Sequence, residues 1–175
     1  MWVISAGINE ASARLAKLAQ KPWKFQTASL GRFTPAEVSS TFAADVSPGM
    51  GVLFTSGRMS FTLFFSASDC TQLCRAYLGQ SYAAARELAS IAELSNIVVN
   101  AITDEIANAT GDLLMLTAPS VVEGRRCDII MRAAKVFRST DQNGPIISQI
   151  KIAAGDLSVD YTILMILPDE FCSRF

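Results

Sequence analysis

Glu93 and Asn96 stand three residues apart inside a long helical pattern, and Pro119 follows Asn96 after residues 97–118, an interval of 22. On a helix, side chains at i and i+3 are neighbours, so the spacing sets a carboxylate beside an amide. Asn100 and Asp104 continue the same line at helical spacing. An ordinary glutamate is a weak base at neutral pH. An amide is neither acid nor base, yet it carries both donor and acceptor and can hold and orient a water. Such a pair suits phosphoryl transfer, where placing a water for in-line attack matters more than removing its proton. The arrangement makes sense if the electrophile and its metal arrive with a partner, while this chain supplies the oriented water and a docking charge. The same polar line also fits the solvated face of an ordinary helix. Two asparagines inside it cost about a few tenths of a kcal/mol each relative to better helix formers.

Composition removes several other chemistries. The chain of 175 residues has no histidine, which excludes Ser-His-Asp and Cys-His catalysis. Of its four cysteines, Cys70 and Cys74 lie at i, i+4, while Cys127 and Cys172 are isolated. Without histidine or paired C-x-x-C motifs they do not form a zinc site, and they read as reduced thiols behaving as small apolar residues. There is no G-x-G-x-x-G, no P-loop and no metal-ligand cluster. The net charge of −1 gives no basic field for nucleic acid or an anionic membrane, and Trp23 and Phe25 read as core or interface rather than a base-stacking platform. No apolar run is long enough to span a bilayer. No positively charged leader precedes one, so a cytoplasmic protein is expected.

Half the residues are apolar and 18% are charged, which fits one compact domain. Ile4, Ile8, Ala11, Leu15 and Leu18 predict a helix from Trp2 to Gln20, ended by Pro22. Trp23–Leu30 reads as extended, and 33–48 as a mixed stretch with Pro35 and Pro48. Gly51–Thr55 and Arg58–Phe65 predict a hairpin around Ser56-Gly57. Asp69–Leu78 predicts a helix capped by Ser68 and stopped at Gly79. The longest helical pattern runs from Ala83 to Ala109, with Leu88, Ala92, Val99, Ile102 and Ile106 marking its apolar side. Leu113–Val122 reads as extended and interrupted by Pro119. For Asp128–Phe137 strand and helix stay open. Ile146–Ala153 and Leu157–Leu167 predict a second hairpin around Gly155-Asp156, with Leu157, Val159, Tyr161, Ile163 and Met165 on one buried face.

The two halves, about 1–80 and 81–175, look alike. Each runs helix, strand, connector, hairpin. Gly57 corresponds to Gly155, Asn9 to Asn100, and Ala28-Ser29-Leu30 to Pro119-Ser120-Val121. This internal repeat predicts a single α/β (α+β) domain with pseudo-two-fold symmetry. Its hairpins would join into one antiparallel sheet, with two long helices packed on it.

Glu93-Leu-Ser-Asn96-Ile-Val-Val-Asn100, with Pro119 at its interval, resembles the signature of the CheC/CheX/FliY chemotaxis phosphatase family, and the order of surrounding elements agrees along nearly the whole chain. The resemblance implies hydrolysis of the aspartyl phosphate of a CheY-type receiver domain, tuning chemotaxis or another two-component output. Glu93 would pair with the receiver's active-site lysine, and Asn96 would orient the attacking water. Pro119 would shape the strand beside the helix, and Asn100 and Asp104 would extend the contact with the partner. The chain would need no cofactor of its own, because the receiver brings Mg²⁺.

Two departures from the family pattern stand out. Ala89 occupies the position where an Asp or Ser usually precedes the Glu by four residues, with Ser90 adjacent. The repeat also places Trp2, Ser5 and Ala28 where a second Glu, Asn and Pro would stand, so the first half is expected to be inactive and the chain to be more like one-site CheX than CheC. A FliY-type switch component would need a further switch-forming domain. The alternative is a catalytically weak or inactive adaptor of the same fold that binds a receiver or CheD. An unpaired sheet edge would also permit a homodimer.

Overall fold

The computed structural model describes residues 2–20, 22–57, 59–134, 146–154 and 157–167. The predicted turn Gly155-Asp156, together with Arg58, 135–137 and Cys172, lies outside these residues. In chain order the elements are α1 (Trp2–Ala19), β1 (Lys24–Arg32), α2 (Pro35–Phe42), β2 (Pro48–Ser56), β3 (Met59–Ser66), α3 (Ala67–Leu78), α4 (Glu87–Thr110), β4 (Ser120–Arg125), α5 (Arg126–Ala134), β5 (Ile146–Ala154) and β6 (Leu157–Ile166). Two single 3₁₀ turns, Gly79–Ser81 and Ala84–Arg86, join α3 to α4.

The strands form one sheet in the order β1-β5-β6-β3-β2-β4, and every pair is antiparallel. The two expected hairpins meet in the middle through β3 and β6. Each half then lends its first strand to the other half's hairpin: β1 pairs with β5, and β4 with β2. The strand order is therefore unchanged when β1, β2 and β3 are exchanged with β4, β5 and β6.

Strand alternation divides the core between the two faces of the sheet. Tyr161, Ile163 and Met165 of β6 and Phe61, Leu63 and Phe65 of β3 face α1, α3 and α4. Phe65 stacks on Tyr161 at 5.2 Å between ring centroids. Trp23 is buried in this cluster and Phe25 packs against it, as core residues. On the opposite face, Leu164 of β6 packs with Val38 and Phe42 of α2 and Ile130 and Ala133 of α5. The predicted pair of long helices is therefore part of a three-layer arrangement.

Helix ends correct several expectations. The cap of α3 is Ser66, whose side chain accepts from the Asp69 N–H, whereas Ser68 only meets the Ser66 hydroxyl. The mixed stretch contains α2, opened by a capping box in which Thr34 and Glu37 bond each other's backbone, with Pro35 in the first turn. Helix α4 starts at Glu87, not Ala83, and ends on Gly111, which donates its N–H to the Ala107 carbonyl and takes a left-handed φ of 76°. Leu88 is 46% exposed and so is not on the apolar side. The strand expected over 113–122 starts only at Ser120 and runs on to Arg125 as β4. Leu113 and Met115 are 88% and 74% exposed, and the lead-in meets β2 through the Thr117 N–H on the Thr55 carbonyl. Residues 126–134 are helical, which resolves the open choice at Asp128 for the described part.

Arg126 joins the second layer to the sheet. Its guanidinium lies over the rings of Phe42 and Phe64, 5.5 and 5.0 Å from their centroids. It pairs with Asp45 at 3.2 Å and donates to Thr162 Oγ1. Hydrogen bonds from Ser47, with Arg126 nearby, hold the Asp45 carboxyl below its ordinary value. A depressed carboxyl stabilises the fold above its unfolded pKa, and that contribution is lost as pH falls through the lower, folded value. Acid titration of stability is accordingly expected to be shallower in Asp45→Asn than in the parent below about pH 4, read by urea midpoints at pH 3 and pH 6.

Candidate functional site

Helix α4, which carries the candidate residues, is fixed on both flanks. Ile91, Val98, Val99, Ile102 and Ile106 are buried in the main core. Gly7 of α1 lies against Ile102: a Cβ on Gly7 would sit 2.6 Å from the Ile102 Cα. Only glycine permits that approach, and it sets the crossing of α1 on α4. On the other flank α3 packs against α4.

Glu93 and Asp104 are exposed, and Asn96 and Asn100 are half-buried. The structure brings Asn96 and Asn100 into direct contact: Asn100 Nδ2 donates to Asn96 Oδ1 at 2.9 Å and to the Asn96 backbone carbonyl at 2.8 Å. Tyr77, near the end of α3, lies beside Glu93. Burial first, and then the Glu93 carboxylate, push its phenol up, so it stays protonated as a donor. Asp104 is engaged differently. It takes a 2.8 Å ion pair from Arg14 of α1, which also holds Glu10 at 2.9 Å. That pairing ties α1 to α4 and competes with any contact to a partner. Pro119 is half-buried in the lead-in, immediately before the first residue of the edge strand β4, where its missing N–H removes no ladder bond.

Sequence reading missed Tyr77 and Arg14. Arg14 lies 90 positions from Asp104, and nothing local signals the pair. Ser90, adjacent to the departure at Ala89, is buried, so its hydroxyl does not replace a surface Asp or Ser. In the first half Trp2 is 65% exposed and Ser5 half-buried, on a helix face with no carboxylate–amide pair at those two positions.

Among the described residues no group of His, Cys, Asp and Glu is placed to hold a metal ion. Burial pushes the Cys70 thiol up to about 12 and the Cys74 thiol up to about 11. Both are protonated at neutral pH and shielded, so neither is a nucleophile. Native protein at pH 7.5 is expected to leave Cys70 and Cys74 unalkylated by iodoacetamide, with labelling only after denaturation, as read by peptide mass spectrometry.

Comparison of the whole fold with solved structures gives close matches over nearly the full chain. FliY from Thermotoga maritima superposes with a TM-score of 0.73 at 10% identity, covering 99% of this chain and 90% of that one. The chain has the CheC/CheX/FliY fold. The FliM middle domain from H. pylori follows at 0.69 and 14% identity, covering 98% and 94%. CheX from Vibrio vulnificus gives 0.57 at 13% identity, covering 95% and 100%. At these identities the likeness is one of fold. No sequence-family model matches the chain, and no curated protein does. Among the helices described, none is long and apolar enough to cross a membrane.

Proposed function

We propose that this chain is a phosphatase for the aspartyl phosphate of a CheY-type receiver domain, built as one domain of two repeats, about 1–80 and 81–175. The observation that supports it is the α4 face itself: an exposed Glu93 beside an Asn96 whose amide is already held by Asn100, on the fold shared with CheX and CheC-like proteins. Glu93 docks on the receiver's lysine. Asn96 orients a water in line with the phosphorus. As the new O–P bond forms, the bond from phosphorus to the aspartyl oxygen breaks. The aspartate leaves as carboxylate, and both water protons end on the phosphate. The receiver contributes Mg²⁺, which neutralises charge on the transferring group. A receiver partner also places the protein in the cytoplasm.

The second reading is a non-catalytic adaptor. It is favoured by the fold likeness to FliM middle domains, one of which is seen in a complex with FliG, and by Ala89. Under it the chain would bind a receiver or CheD without hydrolysis.

Binding to a receiver loaded with Mg²⁺ and beryllofluoride, a stable mimic of the phosphoryl group, tests the shared element of both readings. Calorimetry should show binding at least about tenfold tighter than to the unloaded receiver, about 1.4 kcal/mol. Equal affinity for the two forms across a receiver panel would contradict the phosphatase reading, and no binding to either form would remove the receiver as partner.

A further inference from the structure

The two asparagines midway along α4 are bonded in a way that fixes the sense of both amides. Asn100 Nδ2 lies 2.8 Å from the Asn96 backbone carbonyl oxygen and 2.9 Å from Asn96 Oδ1. A carbonyl oxygen only accepts, so the Asn100 atom facing it has to be the NH₂ group. Its two hydrogens are then both used, one on each acceptor. The Asn96 atom meeting the second hydrogen must be oxygen, since NH₂ against NH₂ would oppose donor to donor. Donor and acceptor capacity therefore assigns both amides, which otherwise look nearly alike. The Asn96 NH₂ is consequently the prong turned away from Asn100.

We propose that Asn100 is a positioning residue that locks the Asn96 amide in this sense, so that Asn96 meets the attacking water as an N–H donor rather than as a carbonyl acceptor. A water that accepts this bond through one lone pair keeps the other for phosphorus. Its protons then face the partner's oxygens, where they are needed. Asn100 itself touches no substrate. The inference deepens the receiver-phosphatase reading and rests on it.

The test compares Asn100→Asp, Asn100→Ala and Asn100→Gln in phosphate release from a phosphorylated receiver. Aspartate only accepts, so it attracts the Asn96 NH₂ and turns Oδ1 outward. Asn100→Asp should lower kcat about tenfold or more, and Asn100→Ala by less, because the amide is freed but not reversed. Asn100→Gln keeps the donor and should restore kcat to within about threefold of the parent. KM should not move, since Glu93 is untouched, and melting temperatures should stay together. In the free protein, ¹H–¹⁵N spectra should show the Asn100 side-chain amide protons exchanging more slowly than those of Asn96. Equal, rapid exchange of both would overturn the proposal whatever the receiver assay gives. An active parent matched by Asn100→Asp would overturn it alone and leave the phosphatase reading standing. A parent inert on every receiver of a panel would overturn that reading, and this role with it.

Discussion

Asn96→Ala and Glu93→Ala should each remove most of the receiver-directed activity, but through different constants. Under the proposed chemistry Asn96 acts on the reacting water. Its loss should lower kcat about 100-fold, the usual scale for removing one preorganised donor from a transition state, with KM nearly unchanged. Glu93 is exposed in the free protein, and under the proposal its role begins when the receiver's cation docks on it. Its truncation leaves that cation unpaired in the complex, a loss of about 2 kcal/mol or roughly 30-fold in KM. Neither side chain is buried in the core, so the melting temperature should hold in both variants. Steady-state phosphate release over a range of receiver concentrations separates the two effects. If both variants changed only KM, Asn96 would be a docking residue and the water-placing role would be lost.

The largest effect on stability is expected at Gly7. Glycine inside a helix normally costs about 1 kcal/mol relative to alanine, so Gly7→Ala would ordinarily be stabilising. Here the added methyl would meet the Ile102 Cα at 2.6 Å, the Ile102 Cγ1 at 3.0 Å and the Ala101 carbonyl oxygen at 3.1 Å. Two of these atoms are backbone and cannot turn aside as a side chain can. Overpacking costs typically about 1–3 kcal/mol, and more when the backbone has to move, so the clash outweighs the propensity gain. Gly7→Ala is expected to be destabilising, and Gly7→Leu by about 3 kcal/mol or more, a large part of the stability of a single domain. Ala13→Leu, on the exposed side of the same helix, should be nearly neutral. Urea unfolding of the three variants gives the comparison. Because α1 braces the helix that carries Glu93 and Asn96, Gly7→Leu should also lose activity, whereas Ala13→Leu should not.

Local pattern carried much of the fold. Alternation at Leu157–Met165 and the period of α1 need only neighbouring residues to be legible; the alternation and the buried Ile4, Ile8, Ala11 and Leu15 appear as read, whereas Leu18 is 58% exposed and lies off the apolar side. The six-stranded order was less accessible, because β1 joins β5 and β4 joins β2 from distant parts of the chain. The same distance hides Arg14–Asp104. Helix α2 is announced by Thr34-Pro35-Ala36-Glu37, a capping box with Pro in the first turn, a signal that reading 33–48 as a mixed stretch passes over. The segment after α4 is apolar enough for a strand, yet side-chain type does not reveal whether a partner strand is present. At the site, spacing alone placed Glu93, Asn96 and Asn100 on one face. The direction of the Asn96–Asn100 bond was not legible there, because an amide offers donor and acceptor at either end.

The most direct measurement is the lifetime of the phosphoryl group on a Mg²⁺-bound receiver, with this protein added at about one-tenth of the receiver concentration. A catalyst turns over, so the whole receiver pool should lose phosphate many times faster than its intrinsic rate, and Asn96→Ala should return the decay close to that rate. If the parent protein binds the phosphorylated receiver but leaves its lifetime unchanged or lengthens it, the chain is an adaptor on a phosphatase fold, and the proposed chemistry of α4 is wrong.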